Sequence, residues 1–273
     1  MLRNVNDLRG FAIHAVDGEI GEVDDFYFDD ENWAIRYLIV DTGGWLSGRN
    51  VLISPYAIGV PNWDGRQLPV KLTRAQVQGS PDIDTQKPVS RQHEAHYSSY
   101  YGYPYYWGSE GLWGLGAYPG ILPADVPAEH EIAASEASRG NDSAWSAQPA
   151  DAHLRSCREL GGYHIHATDG DIGHVSDILV DDRSWAIRYL IVNTSNWWGG
   201  HLVLIAPEWV DDVSWADSKV SVGLTRESVK NAPAYDPSVP LDHEQEDAIY
   251  DHYGRPHYSP GKSARRTEQP LGK

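Results

Sequence analysis

Cysteine is almost missing from this chain. Cys157 stands alone among 273 residues, so no intrachain disulfide can form, and one chain cannot build a cysteine-cluster zinc or iron–sulfur site. Positive charge is also scarce: 22 Lys and Arg face 39 Asp and Glu, for a net charge of -17. A polyanion of this size repels phosphate backbones, which disfavours direct binding of nucleic acid. No uninterrupted apolar run approaches the ~18 residues of a membrane span. The opening Met1-Leu2-Arg3-Asn4-Val5-Asn6-Asp7 lacks the apolar stretch of a signal peptide, so a cytoplasmic protein is expected. The motifs G-x-x-x-x-G-K-[ST], H-E-x-x-H and G-x-S-x-G are missing, and no catalytic residue or cofactor is expected. Gly114-Leu115-Gly116 lies among Pro and aromatics, the wrong setting for a dinucleotide fingerprint. What is present is a hydrophobic fraction of 41%, enough for a core, with 26 Gly and 17 Pro to turn the chain often.

The chain repeats itself. Residue n resembles residue n+152 without a gap over most of each half, and between Gly10–Val40 and Gly162–Val192 20 of 31 positions are identical. The longest shared word, Trp33-Ala-Ile-Arg-Tyr-Leu-Ile-Val40, returns as Trp185 to Val192. Tyr101-Gly102-x-Pro104-x-Tyr106 returns as Tyr253-Gly254-x-Pro256-x-Tyr258. A period this long marks a duplicated domain and not a solenoid, whose repeats run ~20–50 residues.

Each copy reads as mostly β, a small barrel or rolled sheet followed by a short helix. Phe11–Ala15 and Ile20–Phe28 flank Asp17-Gly18, a hairpin signal of type I′. Trp33–Asp41 is apolar on both faces and therefore predicted to be a central strand. Asn50–Ile53 ends at Pro55, and Val60–Trp63 with Gln67–Leu72 forms a hairpin around Asp64-Gly65. Thr73 and Gln76 fit a capping box at a helix start, of which the second copy keeps only Thr225. Strands this short and evenly spaced suggest closed barrels.

The pattern G-x-x-I-H-A-x-D-G-x-I-G-x-V-x-D, then D-D-x-x-W-A-I-R-Y-L-I-V, then V-L-I-x-P, resembles the PRC-barrel family in both copies, over about Leu8–Val77 and Leu160–Val229. The resemblance implies two small PRC-type β-barrels in tandem, over 1–84 and 152–236. An aromatic-, Gly- and Pro-rich extension and linker spans 85–151, and an extension with a disordered basic tail covers 237–273. The fold occurs in the cytoplasmic domain of the photosynthetic reaction-centre H subunit and in the ribosome maturation factor. The resemblance therefore implies a non-enzymatic binding or assembly module, an adaptor for a protein partner. Its alternatives are an accessory of a photosynthetic or electron-transfer complex and a ribosome-associated protein.

The candidate residues divide by chemistry. Trp45 and the pair Trp197-Trp198 lie in Gly-rich loops, where large aromatics suit partner contact. Asp25 with Arg36, and Asp177 with Arg188, are spaced for ion pairs across neighbouring strands. His14 and His166 occupy matched positions. His164 and His174 join His166 in the second copy alone, a set that would make this a metal-binding protein if the three converged. Between residues 92 and 138 there is no Lys or Arg, while Tyr and Trp crowd 97–118. Aromatics without a cationic groove fit a segment docked on its own barrel better than one stacking nucleobases.

Overall fold

Alternation in the shared word places Ile35, Tyr37 and Ile39 on one face and Ala34, Leu38 and Val40 on the other, and all are buried. In the computed structural model, which describes residues 1–83, 89–108, 111–120, 152–194 and 200–258, this segment is the strand β4 (Ala34–Asp41). Its first half also holds β1 (Leu2–Asn4), β2 (Ala12–Ala15), the long β3 (Gly18–Asp29), β5 (Asn50–Ile53) and β6 (Gln67–Pro69). The second half repeats them as β8 (Ala152–Ser156), β9 (His164–Ala167), β10 (Gly170–Asp181), β11 (Ile187–Asn193) and β12 (Leu202–Ile205), followed by β13 (Val210–Ser214) and β14 (Lys219–Val222). A short β7 (Val89–Ser90) precedes β8.

Two seven-stranded sheets result, ordered β5-β4-β3-β2-β6 and β12-β11-β10-β9-β14-β13. Closed barrels were the expectation, but among the described residues neither sheet closes into a ring. After β12 the chain enters a 3-10 turn, Pro207–Trp209, that leads straight into β13, and buried Trp209 packs there in place of a strand pair. The β5 end of the other sheet carries the matched turn, Pro55–Ala57, with Tyr56 buried. The hairpin at Asp17-Gly18 is present, shifted by one residue: the loop is Val16-Asp17, and Ala15 pairs with Gly18. Neither loop residue has positive φ, so the turn is not type I′. Asp17 accepts a hydrogen bond from the Arg74 backbone at 2.8 Å, which holds the turn against the helix α2 (Arg74–Gln78). The capping box at Thr73 forms in full, and its partner at Thr225 keeps only the half that the sequence retains.

The two halves do not fold side by side. They exchange their first strands. β1 pairs with β10 of the second half (Leu2 with Asp181, Asn4 with Leu179), and β8 pairs with β3 of the first (Leu154 with Asp29, Ser156 with Tyr27). Adding 152 to either register gives the other, so the exchange is reciprocal about a pseudo-twofold axis. That axis passes through an antiparallel bridge between Ala34 and Ala186. Around it the Ile35 N–H donates to the Trp185 carbonyl at 2.8 Å, and the Ile187 N–H to the Trp33 carbonyl at 2.7 Å. Trp33 and Trp185 both adopt the left-handed conformation (φ 52° and 59°), which costs a bulky residue energy and turns those carbonyls onto the axis. One hydrophobic core then runs through both halves, and Phe28 of the first lies against Trp215 of the second.

The segment after the first sheet docks on that sheet, as expected, but through a helix that the pattern had not revealed. Ser90 caps α3 (Arg91–Tyr101), and Gly102 closes it in the left-handed conformation. Tyr97 donates to the Leu52 carbonyl at 2.5 Å and packs edge-on against Tyr37, which covers the outer face of β4. In the second half α6 (His243–His252) packs Tyr250 against Tyr189 and Trp209.

Gly21 and Gly173 let the long strands cross their neighbours closely. A Cβ at Gly21 would lie 2.0 Å from the Asp41 carbonyl oxygen, and at Gly173 2.1 Å from that of Asn193; both residues have positive φ (156° and 157°). Gly21→Ala and Gly173→Ala are each expected to lower the melting temperature by more than about 5 °C. Gly44→Ala, whose Cβ meets nothing within 4 Å, should change it by less than about 2 °C; scanning calorimetry makes the comparison.

Candidate functional site

Asp25 and Arg36 do not pair, and neither do Asp177 and Arg188. Irregularities in the β3–β4 ladder separate the first two. Asp25 stands opposite Ile39, and Arg36 falls in a bulge between Tyr37 and Ile35. The ladder of β10 and β11 does the same to Asp177, opposite Ile191, and Arg188.

The two aspartates serve the exchange. Asp25 accepts from the backbone N–H of Arg158 (3.1 Å), and Asp177 accepts from that of Asn6 (3.2 Å), so each holds the first helical turn of the opposite half. Asp25 is also bonded to Arg9 and to the Ser156 hydroxyl. At the matched positions the second site has Gly161 and Asn4, so among the described residues Asp177 forms no such ion pair or hydroxyl bond. Burial pushes its carboxyl up to about 6, against the lowering effect of its two backbone hydrogen bonds. Cys157 occupies the same exchanged turn, deeply buried, and burial pushes its thiol well above the usual range; it packs where the first half has Val5.

The two arginines, related by the axis, lie in unlike surroundings. Arg36 is sealed. Its Nη2 bonds to Asp29 at 3.1 Å and its Nη1 to the Leu112 carbonyl at 2.6 Å, while the guanidinium lies 3.7 Å from the Tyr106 ring centroid and 4.8 Å from that of Trp113. Tyr106 donates to Glu94, which also meets His153 Nε2 at 2.7 Å and Arg91 Nη1 at 3.2 Å. Burial raises the Asp29 carboxyl, yet Arg36 beside it and a bond from Asn32 outweigh this and hold it below the usual range. Burial likewise lowers the His153 imidazole, but the hydrogen bond and charge of Glu94 win and raise it.

The Gly-rich loop 111–116 makes the seal. Gly111 and Gly114 bridge, as do Trp113 and Gly116, and a Cβ on Gly111 would lie 2.4 Å from the Gly114 oxygen. Trp113 then crosses to the second half and donates from Nε1 to the Ser184 carbonyl at 2.6 Å.

Arg188 is open. Its Nη2 bonds to Glu246 at 2.6 Å and its guanidinium lies over Tyr258 at 3.2 Å. Asp181, matched to Asp29, keeps the backbone bonds from the Ser184 N–H (2.7 Å) and the Arg183 N–H (3.1 Å) that Asp29 has from Asn32 and Glu31, but forms no ion pair with its arginine among the described residues. Arg188 Nε, like Arg36 Nε, has no hydrogen-bond partner among the described residues. Beside it lies a cavity of about 260 Å³ walled by Trp33, Leu112, Tyr118, Tyr250 and Tyr258, with Glu246 and Asp247 at its acidic flank. Residue spacing alone did not show this site; the one signal in the sequence was that Leu112-Trp113 has Ala264-Arg265 as its counterpart.

The remaining candidates are separate. Trp45 is half-buried, packed back on the rim with the Arg74 guanidinium 4.5 Å from its ring centroid. Trp197 and Trp198 lie outside the described residues. His166 Nδ1 sits 2.7 Å from Asp171, and His164 pairs with His174 across the ladder; among the described residues no three metal-ligating side chains converge.

Arg36→Met would strand the buried Asp29 carboxylate, a loss of about 3–5 kcal/mol, and should lower the melting temperature by roughly 6–20 °C. Asp177 predicts a pH effect. Its folded value lies above the ordinary 3.8, so between about pH 4 and 6 the folded protein keeps a proton that the unfolded chain has released, and stability falls as pH rises through that window. Asp177→Asn should therefore melt higher than the parent at pH 7, with the advantage shrinking toward pH 4 in a thermal series.

No helix among the described residues is long and apolar enough to cross a membrane. No curated protein matches the chain. A family model for the PRC-barrel domain does match, over residues 2–68, a span that runs from the exchanged strand β1 into β6. With the mostly-β sheet it builds, this match places a PRC-barrel domain at residues 2–68 of the chain.

Proposed function

We propose that this protein is a non-enzymatic assembly module, an adaptor that holds two duplicated PRC-type units as one body and presents their loops to a protein partner. The reciprocal strand exchange carries this reading. It ties the halves by backbone hydrogen bonds and a shared core, so surfaces of the two units keep a fixed spacing, and a partner that contacts both gains avidity without an ordering cost between them. The buried charges support it as well: Asp29, Arg36, Glu94 and Arg91 are paired with one another, the pattern of a structural network. A net charge of -17 favours a partner with a basic surface. The rim turn Gly43–Leu46 offers one contact, because Trp45 keeps part of its indole at the surface under Arg74.

The test is affinity purification of the tagged full chain from its own cells, followed by mass spectrometry. A protein recovered near one-to-one, and reduced at least fivefold by Trp45→Ala at unchanged circular dichroism, is the expected result. Recovery of no stoichiometric protein would overturn the reading. So would tight binding of RNA in a filter assay at about 0.15 M salt.

A further inference from the structure

The pseudo-twofold axis makes each half a reference for the other, and at the matched arginines the reference is uneven. Around Arg36 the chain itself supplies a peptide: the Leu112 carbonyl accepts from Nη1 at 2.6 Å, and the Trp113 ring closes over the guanidinium and packs edge-on against Tyr56 and Tyr106. Arg188 keeps part of that frame: Tyr258, matched to Tyr106, lies against its guanidinium, while Glu246, matched to Glu94, takes the carboxylate role that Asp29 has for Arg36. Its counterpart of Leu112-Trp113 is Ala264-Arg265, which has no aromatic ring. Arg188 is only 9% exposed and lines the 260 Å³ cavity; its Nε is unpartnered, as that of Arg36 is, but its Nη1, unlike that of Arg36, makes no bond among the described residues.

We propose that this cavity is a peptide-binding site for a partner protein. It takes a short segment with an apolar residue followed by an aromatic one, whose backbone carbonyl accepts from Arg188 as the Leu112 carbonyl does from Arg36. The walls argue for that chemistry. Trp33, Tyr118, Tyr250 and Tyr258 suit an aromatic side chain. Glu246, Asp247 and Asp181 line the same cavity, so a free carboxylate or phosphate is repelled, while a neutral carbonyl is not. The proposal rests on the adaptor reading and gives it a site and a class of partner.

The probe is the acetylated, amidated hexapeptide Gly-Leu-Trp-Gly-Leu-Gly, the sequence of residues 111–116, titrated into the full chain by calorimetry. Saturable one-to-one binding below about 1 mM is expected. Replacing Leu-Trp by Ala-Ala in the peptide, or Arg188→Met in the protein, should weaken it at least tenfold. Arg188→Met also breaks the pair with Glu246, so a second variant guards against misfolding. Ala117→Trp fills the cavity from a partly exposed loop residue, and should abolish binding with the melting temperature within about 2 °C of the parent. No saturable binding, or binding that survives Ala117→Trp, overturns the site. A partner recovered equally well by the parent and by Ala117→Trp would also refute the site while leaving the adaptor reading intact; a peptide that binds where no cellular partner is recovered would do the reverse.

Discussion

The bridge between Ala34 and Ala186 is where the structure is decided. Two copies of one sequence meet there in the geometry of a symmetric dimer, except that a single chain supplies both. Isologous contact lets each residue satisfy its own counterpart, so a stretch such as Trp33–Ile35 is stabilised twice for one pattern of side chains. The exchange of β1 and β8 follows from this closeness. A three- to five-residue strand is too short to hold on its own, and each finds a ready edge on the opposite long strand. Asp25 and Asp177 then fix the turn after each exchanged strand by accepting its free N–H.

Symmetry of backbone is not symmetry of chemistry. Duplication supplied two arginines at matched positions, and the residues that follow each sheet treated them differently. The first became part of a buried network of paired charges reaching from Asp29 to His153, a residue of the second half. The second has no partner for Nη1 among the described residues, where the first has the Leu112 carbonyl. A buried guanidinium is costly unless each polar atom finds a partner, which explains why so much aromatic surface has gathered over Arg36. The same cost makes Arg188 the place where a visiting acceptor has most to gain.

Much of the scaffold was legible in the sequence. The doubly apolar strand at Trp33–Asp41, the strand Asn50–Ile53 and the difference between the caps at Thr73 and Thr225 all follow from local patterns, and the structure has them. Local patterns failed where the answer was not local. Asp25 and Arg36 have the right spacing for a cross-strand pair, but a bulge moves Arg36 out of reach, and bulges leave no signature in these residues. The Asp-Gly signal marked a turn and misjudged its type, because Asp17 is recruited by the Arg74 backbone 57 residues away. α3 was hidden by its composition: His, Ser and Tyr dominate it, and only Tyr97 and its neighbours on one face reveal why it lies down on the sheet. The cavity beside Arg188 was least visible of all, since its walls come from Trp33, Tyr118, Tyr250 and Tyr258, far apart in the chain.

The exchange also sets an order of events during synthesis. The first sheet lacks its β8 strand until residue 156 has cleared the ribosome, and β1 has no edge to join until β10 exists, some 170 residues later. Through that interval the nascent N-terminal half carries an unpaired segment of β3 and a raw apolar seam at Phe28 and Trp33. Two neighbouring chains on one polysome present each other with the same edges, so a stalled ribosome invites intertwined products. Rapid passage through the second copy's codons is thus as much a part of reaching the native state as any contact within it.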